Sequence, residues 1–131
     1  MNKKELIQSF LEKMGYPFKE DSDGDLEVTY QMKEIYIILS GDEEAYVSML
    51  LPFHSVEEDK ITFELAVCNR LNRMLKNMKM FVDESLTMLS ASFDFYYANE
   101  ESLEENLRRG FHALAVARSI YYKESEKLSE D

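Results

Sequence analysis

Cys68 is the chain's one thiol, and a nucleophilic mechanism would pair it with His112, because a thiol attacks as thiolate and needs a base to take its proton. Cys68, however, lies in an apolar repeat with Ile61, Leu65, Leu71 and Leu75, which makes it a small core residue. His54 and His112 stand far apart, and neither has a second His or Cys at metal-ligand spacing, so no zinc site is expected. Asp21-Ser22-Asp23-Gly24-Asp25 offers oxygens at alternate positions, as a hard cation requires. A calcium loop beginning at Asp21 would then need Gly at 26 and a bidentate Glu at 32, where the chain has Leu26 and Met32. An acidic turn leading into a strand is the expectation.

Paired carboxylates occur at Glu57-Glu58-Asp59 and at Glu100-Glu101, in what read as first helical turns, where the helix dipole favours negative charge. They are caps before they are catalysts. The four glycines, Gly15, Gly24, Gly41 and Gly110, are isolated, so no loop cradles a phosphate. A nucleophile, a base and a charge stabiliser do not come together at any spacing. The chain is therefore read as no enzyme, with no catalytic residue, no metal and no cofactor.

A formal charge of −11 repels phosphate backbones, which excludes direct nucleic-acid binding as the first reading. At 131 residues a chain can bury roughly two-thirds of its unfolded surface. Hydrophobic residues make up 45% and aromatics 12%, enough to build that core without a disulfide or metal. One α+β domain over residues 1–125 is expected, with a charged tail over 126–131 that frays. There is no leader-like apolar run and no stretch of about twenty apolar residues. A soluble, cytoplasmic protein with no membrane contact follows as the expectation.

The elements that would position these residues show in the periods. Leu6, Ile7, Phe10, Leu11 and Met14 recur at helical spacing between Asn2, with Glu5 three residues on, and Gly15. The period then becomes two: residues 26–30, 34–40 and 45–52 read as an antiparallel meander, turning at Gln31-Met32-Lys33 and at Gly41-Asp42-Glu43-Glu44. Ser55-Val56-Glu57-Glu58 has the pattern of a capping box and opens a second helix to about Asn77, its last turns loaded by Arg70, Arg73 and Lys76. Strands over 78–82 and 86–97 follow. The second has Leu89, Ala91, Phe93 and Phe95 on one face and Ser90, Ser92 and Asp94 on a face expected to be wet. Asn99 caps a last helix with the stripe Leu103, Leu107, Phe111, Leu114 and Tyr121, and with Val116 and Ile120 beside it.

This α-β(3)-α-β(2)-α order implies a two-layer arrangement, a mainly antiparallel five-stranded sheet with helices packed on it. It resembles the secretion-chaperone-like fold. Within that fold the chain looks most like the YbjN-like group of sensory-transduction regulators, over residues 6–122. The stretches that carry the likeness are Leu26-Glu27-Val28-Thr29-Tyr30 and Phe111-His112-Ala113-Leu114. The resemblance brings no catalytic residue, and fold does not fix function.

The second and third strands are apolar on both sides. If helices take the face of Ile35, Ile37, Leu39, Val47, Met49 and Leu51, then Tyr36, Ile38, Tyr46, Ser48 and Leu50 form the candidate interface. Either the last helix or the acidic loops wrap over it, or it meets a homodimer partner or a partner segment, for which Tyr is well suited. Eight methionines could add adaptable contacts, although Met74, Met78 and Met88 read as core filler. The functional expectation is a non-enzymatic, chaperone-like binding or regulatory module. The alternative is a regulator sensing a small ligand near Tyr96 and Tyr97.

Overall fold

The computed structural model describes residues 1–39 and 45–130; the expected turn at Gly41 to Glu44 lies outside the described residues. α1 spans Lys3–Met14. Asn2 Oδ1 accepts from the Glu5 amide at 2.9 Å while the Glu5 carboxylate accepts from the Asn2 amide at 3.2 Å, so two otherwise unpaired donors are satisfied reciprocally. Gly15 closes the helix in the left-handed region at φ 75°, where a Cβ would be strained.

Among the described residues the sheet has six strands: β1 Phe18–Glu20, β2 Leu26–Tyr30, β3 Lys33–Ile38, β4 Tyr46–Ser55, β5 Met78–Val82 and β6 Met88–Tyr96, in the order β1-β2-β3-β4-β6-β5, with every described pairing antiparallel. The expected five-stranded sheet is corrected by β1. This strand pairs with β2 at Phe18↔Val28 and is too short to show a period of its own. Gln31 and Met32 turn β2 into β3 with both φ values positive, 49° and 64°, the sense of twist that a two-residue hairpin needs. One edge strand has three residues; at the other, Asn72 bonds the outer backbone of β5, donating to the Met80 carbonyl at 2.9 Å and accepting from its amide at 2.8 Å. Both devices blunt an edge that could otherwise pair with another chain.

A 3₁₀ turn at Glu58–Lys60 leads to α2, Ile61–Met74, and α3 spans Glu100–Glu130. The capping box expected at Ser55 does not form. β4 pairs with β6 out to Ser55↔Met88 and the Val56 amide donates to the Thr87 carbonyl at 2.8 Å, so sheet bonds take the backbone that the cap would have used. α2 ends at Met74 rather than near Asn77, since β5 starts at Met78 and leaves no room for another turn. Its buried side is Glu64, Val67, Cys68 and Leu71, while Leu65 is 46% exposed. The helix is thus rotated by about one residue from the expected stripe. Met74, read as core filler, is also exposed.

Leu103, Leu107, Phe111, Leu114 and Tyr121 of α3 are buried as its stripe requires, whereas Val116 is half exposed. Gly110 lets this helix approach the sheet: a Cβ there would collide with Met49 Sδ and stand 3.0 Å from Phe93. Residues 126–130, expected to fray, continue α3. Leu128 packs against the core, and Lys127 reaches Glu124 at 3.8 Å one turn back.

Candidate functional site

Period-two geometry sends alternate side chains to opposite faces of a sheet, and here the faces differ. Ile35, Ile37, Val47, Met49 and Leu51 lie under the helices at 0–4% exposure. Tyr36, Ile38, Tyr46, Ser48 and Leu50 share the other face, each half-buried, through the cross-strand pairs Tyr36↔Leu50, Ile38↔Ser48 and Tyr46↔Tyr96. The rings of Tyr46 and Tyr96 stand 4.9 Å apart, centroid to centroid. Ser90 and Ser92, expected to be wet, are buried at 4% and 3%. They are short side chains flanked by Pro52 and Phe81, and by Leu50 and Lys79, on the neighbouring strands. Ser48 and Ser92 donate to the two oxygens of Asp94 at 2.5 and 3.1 Å. The resulting surface has an apolar centre, with Lys19 and Glu27 in contact at 3.5 Å towards one edge and Lys79 and Asp94 at 3.7 Å towards the other. Burial first, then the Glu27 and Glu34 carboxylates, raises the Tyr36 phenol above its ordinary value, so it stays a hydroxyl.

The β3–β4 ladder stops at the Tyr36–Leu50 pair, although β4 runs on to Ser55. Pro52 comes two residues after Leu50 and has no N–H to give. The β4–β6 register also shifts between Pro52 and His54. Beyond this point the two strands part and leave a notch of about 330 Å³, reaching from Tyr36 and Pro52 on the open face to Phe53 and Arg118.

Behind the notch lies a buried polar group that sequence reasoning missed. The fully buried Tyr121 hydroxyl donates to Glu64 Oε1 at 2.7 Å. Glu64 Oε2 lies 2.6 Å from His54 Nε2 and has no other polar partner among the described residues; the Glu64 side chain is 6% exposed. The other ring nitrogen of His54 is 2.9 Å from the Tyr122 hydroxyl. Burial, then the hydrogen bond to Glu64, raises the Tyr121 phenol and keeps it a donor. Glu64 stands one place before Leu65 on α2, and no signal local to it separates a buried Glu from a solvated one.

The residues that sequence singled out for chemistry are not brought together. Cys68 is buried in α2, and burial followed by the Glu64 charge pushes its thiol up to about 11, so it is no thiolate at neutral pH. His112 is exposed on α3, its ring 6.4 Å from that of Tyr30. The carboxylates of Asp21, Asp23 and Asp25 lie within 4.8 Å of one another. Asp21 Oδ1 accepts from the Asp23 and Asp25 amides and Asp25 Oδ1 from the Leu39 amide, which is the expected turn. Glu100 and Glu101 stand in the first turn of α3, capped by Asn99, whose Oδ1 accepts from the Ser102 amide at 2.8 Å.

Helices on one side of an open antiparallel sheet define the secretion-chaperone-like class. The crystal structure of the Yersinia pestis type III secretion chaperone SycH, in complex with a stable fragment of YscM2, matches at a TM-score of 0.50 and 11% identity, over 82% of this chain and 92% of that one. Residues 3–117 match the family model YbjN, described as "Putative bacterial sensory transduction regulator", and the chain belongs to that family. The crystal structure of YbjN from E. coli matches at a TM-score of 0.66 and 14% identity over 84% of each chain. An uncharacterised protein from Methanothermobacter thermautotrophicus matches at 0.60 and 16% over 95% of this chain and 98% of that one. No curated protein sequence matches. No helix among the described residues is long and apolar enough to cross a membrane.

Proposed function

We propose that the protein is a non-enzymatic binding module that holds a segment of a partner protein against the open face of its sheet. The observation that carries this reading is the half-buried apolar centre formed by Tyr36, Ile38, Tyr46 and Leu50 opposite the helix layer. Its scale is suitable. Six strands at about 4.8 Å spacing span about 24 Å, and strands of this length give a face of several hundred Å², against about 800 Å² per partner in a standard interface. A neighbour in the same fold class was crystallised with a fragment of another protein, which favours a partner segment over a second copy of this chain.

The test compares wild type with a Tyr46→Lys/Leu50→Lys variant, with circular dichroism confirming that both are folded. Affinity capture from the native host, quantified by mass spectrometry, should lose a stoichiometric partner in the variant. A change from dimer to monomer in light scattering would assign the face to self-association instead. Unchanged capture and unchanged mass would refute the placement of the interface.

The family description as a sensory-transduction regulator favours a second reading, in which a small ligand controls the module. A metabolite that raises the melting temperature would support it, since binding to the native state alone adds stability.

A further inference from the structure

We infer that the notch between β3 and β4 is the specificity pocket of this surface. It takes an apolar side chain of the partner segment followed by an acidic residue, with Arg118 binding the carboxylate. This assignment rests on the open-face reading above and names the chemistry of the segment that the face would hold.

Three observations carry it. First, the notch is built by the chain. The ladder ends at Tyr36–Leu50, Pro52 offers no donor to extend it, and the gap reaches to the helix layer. Its volume of about 330 Å³ is at the low end for ligand sites (~300–1,000 Å³), room for one large side chain and a neighbouring polar group. Tyr36 and Pro52 belong both to the notch and to the open face, so an extended segment lying on that face meets it.

Second, the charge in the notch opposes that of the chain. The molecule carries 26 acidic residues against 15 Lys and Arg, and Arg70, Arg108 and Arg109 each reach a carboxylate. Arg118, like Arg73 on α2, reaches none among the described residues; its guanidinium lies over the Tyr122 ring, 5.5 Å from the centroid. Lys33, also lining the notch, gives its ammonium to the Gln31 carbonyl at 3.4 Å. The one notch carboxylate among the described residues, Glu34, is engaged by the Thr29 hydroxyl at 3.1 and 3.3 Å.

Third, Arg118 is held in place. Tyr122, over whose ring it lies, is 2.9 Å from His54 through its hydroxyl, and His54 in turn contacts buried Glu64. A planar guanidinium fixed against an aromatic ring presents its donors to a carboxylate with little freedom left to lose.

The probes are two capped peptides, acetyl-Ala-Phe-Glu-Ala-amide and its Gln counterpart, titrated into the full chain and followed by two-dimensional NMR. The Glu peptide should shift the signals of residues 33–36 and 51–53 saturably in the millimolar range. The Gln peptide should bind about tenfold more weakly. Arg118→Met should reduce the Glu peptide to the Gln level without moving the melting temperature, and Arg118→Lys should restore part of the difference. Equal binding of the two peptides, unchanged affinity in Arg118→Met, or no saturable shift at those residues would overturn the assignment. The open-face reading is judged separately, by the Tyr46→Lys/Leu50→Lys variant. Loss of the partner there together with an indifferent Arg118 means that the face binds and the notch does not select.

Discussion

Replacing Tyr121 by Phe removes one oxygen from the centre of the molecule and tests how much the buried Glu64 carboxylate depends on its hydrogen bond. The Tyr121 ring is fully buried and can keep its packing as Phe. What disappears is the 2.7 Å hydrogen bond to Glu64 Oε1, on a side chain 6% exposed whose other oxygen has only the His54 contact. A hydrogen bond to a charged group contributes about 1.5–3 kcal/mol, and a buried acceptor left without a donor bears the whole loss. About 2 kcal/mol is therefore expected. With unfolding entropy of about 0.28 kcal/mol/K for a chain of this length, that lowers Tm by about 7 °C. Glu64→Leu should cost a similar amount by stranding the Tyr121 hydroxyl. The double variant, apolar on both sides, should recover about 1–2 kcal/mol relative to the summed single losses. Urea unfolding of the four proteins measures the cycle. Strictly additive losses, or a Tyr121→Phe change below about 0.5 kcal/mol, would refute the argument, because the carboxylate would then be finding water.

Four further outcomes follow from particular contacts. Gly110→Ala gains about 1 kcal/mol of helix propensity but forces the Met49 end and the Phe93 ring to move, an overpacking cost of about 1–3 kcal/mol, so a net loss of about 1 kcal/mol is expected in chemical denaturation; a stabilised variant would contradict the close approach. Asn72→Ala should expose the β5 edge, with the Met80 amide exchanging its hydrogen faster than its neighbours and light scattering showing more self-association; unchanged exchange at Met80 would contradict the edge role. Met32→Gly should raise stability by about 0.5–1 kcal/mol, since Met32 is 98% exposed with φ 64°, a conformation glycine adopts without strain; a lower Tm would refute it. The Asp83 carboxyl is held below its ordinary 3.8 chiefly by hydrogen bonds from the Thr87 and Met88 amides. A lowered folded value gives stability that is complete above 3.8 and is lost as pH falls through the lowered value. The stability gap between wild type and Asp83→Ala should thus be constant near neutrality and close in acid, and a gap that widens in acid would refute the sign.

Features carried by local covalent geometry were legible in the chain alone. Asn2, Glu5 and Gly15 mark both ends of α1 because capping involves backbone groups within one turn. The alternation from Ile35 to Ile38 and from Val47 to Leu51 separates the two sheet faces because successive side chains of a strand must point oppositely. The five face residues Tyr36, Ile38, Tyr46, Ser48 and Leu50 could therefore be grouped before any strand partner was known. The tertiary structure decided whatever depends on a partner distant in sequence. Ser55 could cap a helix or extend a strand, and Met88, 33 residues away in the chain, drew it into the sheet. Leu65 and Glu64 sit one step apart on α2, about 100° around its axis, and it is Tyr121, 57 residues on, with His54, that turned the carboxylate inward. The notch was hidden for the same reason. Pro52 marks a weak point in a strand, but only the length over which β3 and β4 pair, and the passage of α3 beneath, set Arg118 at the opening.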